Sequence, residues 1–139
     1  MDFFSSMRIS ASGLNAQQTR MNTISSNLAN AETVGYKRKD PVFQANAERK
    51  NFAEILENQM DEHAQGVLVS EVKEDAKPPR LIYNPSHPQA RSDGYVEMPN
   101  VNPVEEYANM INASRSYEAN ITAMNAAKAM ALKALDIGK

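Results

Sequence analysis

Cysteine and tryptophan are both absent from the 139-residue chain. The first absence removes a disulfide framework, thiolate catalysis and every Cys-ligated zinc or iron–sulfur centre. The second, with aromatics at only 6%, removes a large rigid aromatic core, so burial falls to Ala, Leu, Ile, Val and Met. Charge of one sign is lacking too. With 15 basic against 17 acidic residues the net charge is -2, which argues against a protein that grips nucleic acid or anionic membrane. The five glycines are scattered, so there is neither a Walker loop nor a dinucleotide fingerprint. No apolar run reaches the roughly 18 residues that span a bilayer. Residues 1–20 hold no apolar core followed by a cleavage site of the secretory kind. On these grounds alone a cytosolic chain is expected, although an export system that reads an uncleaved, disordered N-terminus leaves no such mark. The length allows one compact domain, or two small units sharing a partner surface.

What is present is unevenly placed. Pro41 stands alone, the other six prolines lie between Pro78 and Pro103, and the two ends are free of them, so long helices are expected only there. Apolar residues recur a heptad apart at Met7, Leu14, Met21 and Leu28, with Ala11, Ile24 and Ala31 between them, which predicts a helical seam over residues 7–31. Ser, Thr and Asn fill many other positions, and Gly13 costs about a further 1 kcal/mol against Ala. Such a helix is marginal alone and depends on partners. The second helix, over residues 103–137, starts from an Asn102 cap, Pro103 at its first position and Glu105 where a capping box places a carboxylate. Its apolar stripe runs through Tyr107, Met110, Ile111, Tyr117, Ile121, Met124, Ala131, Leu132 and Leu135, interrupted by Ser114 and Lys128, with Gly138 as a C-terminal cap. At 1.5 Å per residue this is a rod of about 50 Å, too long to be enclosed by its own domain.

Between the helices the reading is of an insert: an extended segment over 34–42, a short helix over about 45–60, and strands and turns over 66–100. Val67, Leu68, Val69 and Val72 predict one strand and Arg80 to Tyr83 a second, with turns at Asn84-Pro85 and Asp93-Gly94. The expected fold is mainly α. Two long terminal helices (1–35 and 101–139) pair as a coiled-coil-like hairpin, and a small central insert (36–100) contains a short helix and irregular β and loop segments.

Signals of chemistry are weak. His63 and His87 share no ligand spacing with carboxylates, and Asp61-Glu62 and Glu74-Asp75 lie in polar stretches where nothing shifts a carboxyl group. No nucleophile elbow or Ser-x-x-Lys pair occurs. Lys37-Arg38-Lys39 beside Tyr36 reads as a solvated or intersubunit charge patch, not a nucleic-acid site. No enzymatic activity, cofactor, metal or small-molecule substrate is expected. The candidate site is an assembly interface: Met7, Leu14, Met21, Ile24, Asn27, Leu28, Asn30 and Gly35 on the N-terminal side, and Tyr107, Met110, Ile111, Tyr117, Asn120, Ile121, Met124, Leu132 and Leu135 on the C-terminal side. Asn27, Asn30 and Asn120 either bond between helices and fix register or line plain solvated faces. Gly35 either ends the first helix with a positive φ or sits in an ordinary linker.

Two segments resemble a known family. Ser12-Gly13-Leu14-Asn15-Ala16-Gln17, Met21 and the run Asn27-Leu28-Ala29-Asn30-Ala31-Glu32-Thr33-Val34-Gly35-Tyr36-Lys37 resemble the N-terminal motif of the bacterial flagellar rod and hook family. Asn102-Pro103-Val104-Glu105-Glu106-Tyr107, Met110-Ile111 and Ser114-Arg115-Ser116-Tyr117-Glu118-Ala119-Asn120 resemble its C-terminal motif. The short insert, with Pro78-Pro79-Arg80-Leu81-Ile82-Tyr83 and Gly94-Tyr95-Val96-Glu97-Met98-Pro99-Asn100, is similar to that of the family's proximal rod members. Val34 and Tyr107 are mild departures. The resemblance implies a structural subunit of the basal body, exported unfolded by the flagellar type III apparatus without cleavage. It also implies partners: copies of itself, other proximal and distal rod proteins, and the MS-ring/rod adaptor. Their assembly is a periplasmic drive shaft, and that placement replaces the cytosolic expectation. Another member of the same family, or a helical adaptor, are the alternatives.

Overall fold

The computed structural model describes residues 3–46 and 66–137. In chain order these form helix α1 (Phe3–Ala29), strands β1 (Lys39–Ala45), β2 (Val67–Glu74), β3 (Arg80–Tyr83) and β4 (Tyr95–Met98), and helix α2 (Pro103–Ile137). The architecture is mainly α with a small β insert, as expected.

The start of α2 follows from local chemistry. The Asn102 side chain accepts the Val104 amide at 3.1 Å, the Asn102 carbonyl accepts the Glu106 amide at 3.0 Å, and Pro103 needs no partner for a proton it lacks. The expected capping box does not close: Glu105 is exposed and makes no bond back to Asn102, while Glu106, one residue on, turns inward. In both helices the many hydroxyl and amide side chains bond to their own preceding turn. Thr19 reaches Asn15, Thr23 reaches Thr19, Asn120 reaches Ser116 and Thr122 reaches Glu118. This local satisfaction lets Thr23 be buried without a partner from another element.

The two helices pack against each other. A buried hydrogen bond links Asn27 to Glu106, and a Cβ added to Gly13 would stand 3.0 Å from Oδ1 of Asn120. As α1 is followed from 13 to 27, α2 is followed backwards from 120 to 106, so the helices run antiparallel. Their interior is small: Ala16, Ile24, Ala113 and Ala127 are buried, and Val96 in β4 and Val101 just before α2 are buried as well.

The insert holds two separate antiparallel pairs, β1–β2 and β3–β4. The first runs from Lys39 opposite Glu74 to Ala45 opposite Val67, with an irregularity between Val42 and Phe43 where Ser70 bonds the Val42 carbonyl at 3.2 Å. The second runs from Arg80 opposite Met98 to Tyr83 opposite Tyr95, whose rings meet edge to face at 5.3 Å. A two-stranded ribbon has little stability of its own, and both are tied to the first helix or its exit. The Val67 amide donates to Ser12 Oγ at 3.0 Å, and Gly66 lies so close that an added Cβ would come within 2.4 Å of that oxygen (a contact Gly alone avoids). The Gly35 amide donates to the Glu97 carbonyl at 3.3 Å.

Several expectations need correcting. Helix α1 begins at Phe3, before the expected Met7, because Ser5 and Ser6 are only mildly unfavourable in a helix. It ends at Ala29, so the chain from Asn30 to Tyr36 is a run of turns, and extended structure starts at Lys39, not Val34. Gly35 has the positive φ expected, +79°, but as a turn residue beyond the helix rather than its cap. Strand β4 was not foreseen. The helix expected over 45–60 lies, from residue 47 on, outside the described residues, as do Asp61-Glu62, His63 and Gly138; residue 45 itself ends β1.

Candidate functional site

The apolar residues of α2 form two seams, not the one stripe expected. The first steps by four and three residues through Glu106, Met110, Ala113, Tyr117, Asn120, Met124, Ala127 and Ala131, all buried or half-buried. The second steps the same way through Val104, Tyr107, Ile111, Ser114, Glu118, Ile121, Asn125, Lys128, Leu132 and Leu135, and its large members are exposed, Tyr107 at 62% and Leu135 at 69%. At 100° per residue the seams stand roughly a third of a turn apart. Of the residues expected to pair with α1, Met110, Tyr117, Asn120 and Met124 lie on the inner seam. Tyr107, Ile111, Ile121, Leu132 and Leu135 lie on the outer one and do not face α1. The single stripe failed because alanine and a buried glutamate were not counted as seam residues, although they are what lets the helix backbones approach.

On α1 the corresponding stripe is Gly13, Ala16, Thr23 and Asn27, at three-, four- and seven-residue steps. Ile24 beside it is buried, as expected. Met7, Leu14, Met21 and Leu28, the expected seam, are half-buried on another side of the helix.

Where α1 exits, a polar cluster ties the molecule together. Asn27 is fully buried and uses its whole amide: Nδ2 donates to the Lys39 carbonyl at 2.8 Å and to Glu106 Oε2 at 3.3 Å, while Oδ1 accepts the Lys39 amide at 2.9 Å and the Tyr36 hydroxyl at 3.0 Å. Glu106, also fully buried, receives Arg38 Nε on its other oxygen at 2.7 Å. Arg38 further pairs with Asp40 and stands 4.0 Å from Asp75, which accepts Asn100 Nδ2 at 3.2 Å. Burial opposes the charge on Arg38, but the hydrogen bond and attraction of Glu106, with those of Asp40, prevail and hold the guanidinium above its ordinary pKa. The basic triplet is thus divided. Arg38 is an internal ion-pair residue, whereas Lys37 reaches only exposed Glu74 at 3.8 Å and Lys39 lies 5.9 Å over the Tyr36 ring. Of the three asparagines singled out, Asn27 bonds between helices. Asn120 bonds within α2 while packing on Gly13, and Asn30 bonds to Ser26 and Thr33 locally. Nothing in the sequence announced Glu106 as the partner of Arg38, because they are 68 residues apart.

Among the described residues no group of three or more His, Asp or Glu side chains could hold a metal, and no helix is long and apolar enough to cross a membrane. The carboxylate of Glu106 and the guanidinium of Arg38 are paired with each other inside the fold, and the large apolar side chains of the outer seam stand exposed.

Comparison with known proteins agrees with that description. Residues 7–37 match the family model for flagella basal body rod proteins, and residues 92–137 match that for the C-terminal region of the FlgE, FlgF and FlgG flagellar basal body rod proteins. The chain belongs to the flagellar basal-body rod protein family, whose members are structural and not enzymatic. Within it, the chain is 44% identical to the flagellar basal-body rod protein FlgC of Bacillus subtilis over the whole of both chains. It is 39% identical to FlgC of Borreliella burgdorferi over 99% of this chain and 98% of that one. FlgC of Escherichia coli O6:H1 is 41% identical over 94% of each. The chain is accordingly a structural subunit of the basal-body rod.

Proposed function

We propose that this subunit builds the proximal part of the rod, with α1 and α2 paired as a coiled-coil-like hairpin whose outer seam packs on neighbouring subunits. Residues 1–35 and 101–139 then form the axial core, and residues 36–100 an insert carried on it. The neighbours are copies of the chain, other proximal and distal rod proteins, and the adaptor that joins the rod to the MS ring. The chain leaves the cytoplasm unfolded through the flagellar type III export apparatus, without a cleaved signal, and in the periplasm it transmits torque as part of the drive shaft.

One observation carries this reading: along one face of α2, Val104, Tyr107 and Ile111 near its start, Ile121 midway and Leu132 and Leu135 near its end stand exposed. Large apolar side chains left exposed along one helix face mark an interaction surface. The half-buried Met7, Leu14, Met21 and Leu28 extend the interface onto α1, and the thioethers of the two methionines adapt to non-identical neighbours. A polar α1 that is marginal alone favours passage through an export channel, its ordering cost being met on assembly. The test is replacement of Leu28 or Ile121 with Asp, which puts an unpaired charge into the packed interface. Normal expression with loss of rods in purified basal bodies, and loss of swimming, is the expected result. Normal motility of both variants refutes the interface.

A further inference from the structure

The carboxylate of Glu106 is satisfied by groups from two other parts of the chain, Asn27 on α1 and Arg38 in the segment that leads into β1. The same Asn27 holds both the amide and the carbonyl of Lys39, the first residue of that strand. Arg38 also bridges to the partner strand's exit at that same end of the β1–β2 ribbon. Its carbonyl accepts the Asp75 amide at 2.7 Å and its guanidinium faces the Asp75 carboxylate. One cluster therefore touches α1, α2 and the first ribbon, and its two central members are buried.

Partial structures fare badly. If α1 and α2 pair while the ribbon is away, Glu106 is a buried carboxylate facing one neutral amide, a costly arrangement. If the ribbon docks on α1 while α2 is away, Arg38 loses its buried partner Glu106 and keeps, among the described residues, Asp40 and Asp75, which belong to the ribbon itself and give it no reason to stay on the helix. We infer that the Asn27–Arg38–Glu106 cluster is a clasp that makes docking of the β1–β2 ribbon conditional on pairing of α1 with α2, so that the insert and the helices order together. The inference stands on these contacts and does not depend on which neighbours the outer seam meets.

The experiment is hydrogen exchange on the full chain across a urea series, reading the Lys39 and Phe43 amides for the ribbon and the Asn120 and Met124 amides for the distant part of α2. Wild type is compared with Glu106→Gln, with the milder Arg38→Lys, and with the double variant. Ser12→Ala, which removes the hydroxyl that accepts the Val67 amide away from the clasp, serves as the control. Both sets of amides should lose protection in one common transition. Each single variant should speed both sets by roughly tenfold or more and the double variant no further than either single, whereas Ser12→Ala should speed both sets together and its effect should multiply with that of Glu106→Gln. The inference is overturned by separate urea transitions for ribbon and helix in wild type, by Glu106→Gln speeding α2 while the ribbon keeps its rate, or by single effects that multiply in the double variant. Should Glu106→Gln abolish all protection, the wild-type transitions and Arg38→Lys still decide.

Discussion

Along α2 the seam that meets α1 is lined by Glu106, Ala113, Asn120 and Ala127, whereas the seam a third of a turn away carries Val104, Tyr107, Ile111, Leu132 and Leu135. The inner one alternates small or polar groups with Met110, Tyr117 and Met124 and is buried or half-buried; the outer one carries large apolar groups toward its two ends and is open. Burial of apolar area contributes in proportion to the area removed from water, so the chain spends little of its own apolar surface on itself. What the inner seam supplies instead is close approach and specific hydrogen bonds, which fix how the helices meet but add modest stability. The large apolar side chains that α1 leaves uncovered are those of the outer seam.

The sharpest way to break this contrast is at the clasp. Arg38→Ala leaves Glu106 buried without its charged partner and should cost about 3–5 kcal/mol, read as a lower urea midpoint by far-UV circular dichroism. A loss under about 1 kcal/mol would mean water reaches Glu106 and the inner seam is less closed than described. Next in size is Ala113→Leu, which forces extra methylenes into a site that is 0% exposed and should destabilise by about 1–3 kcal/mol. Gly35→Val tests backbone conformation in isolation, since nothing lies within 4 Å of an added Cβ and only the φ of +79° opposes it. About 1 kcal/mol is expected, and less for Gly35→Asn, which visits that region more readily. Gly13→Ala should stabilise by a few tenths of a kcal/mol, the helix-propensity gain of about 1 kcal/mol being partly offset by the push on the tip of Asn120, and the full gain should appear in the Gly13→Ala/Asn120→Ala pair. Smallest in the isolated chain is Leu132→Ser on the outer seam, about 0.5 kcal/mol or less. The same variant should nevertheless fail to enter basal bodies, seen by immunoblot of the purified structures. Incorporation at wild-type levels would remove the distinction between the seams.

The parts of the fold that were legible in the sequence are those set by local chemistry. Asn102-Pro103 gave the start of α2, the valines at 67, 69 and 72 gave β2, Arg80 to Tyr83 gave β3, and Gly35 gave a positive φ. Strand β4 escaped notice because four residues between Gly94 and Pro99 are too few to show alternation. The clasp was hidden for a different reason. Arg38 sat in a basic triplet that looked solvated, Glu106 sat beside a second glutamate in a helix's first turn, and only the tertiary fold brings them together. The two seams of α2 were merged because a hydrophobic pattern counts Ile, Leu and Met but passes over Ala113, Asn120 and Ala127, whose small or polar side chains mark the contact.

The antiparallel pairing has a consequence for how such a chain can change length. Its two anchor points, Gly13 against Asn120 and Asn27 against Glu106, are separated by the same fourteen residues on each helix. A residue inserted between Gly13 and Asn27 would rotate every later position by about 100° and advance it by about 1.5 Å, carrying Asn27 off its partner unless α2 gained one as well. Insertions and deletions are therefore confined to places where they leave this spacing alone, the connections between the strands and the distal end of α2. Variation in chain length among relatives should accumulate there and be missing between the two anchors.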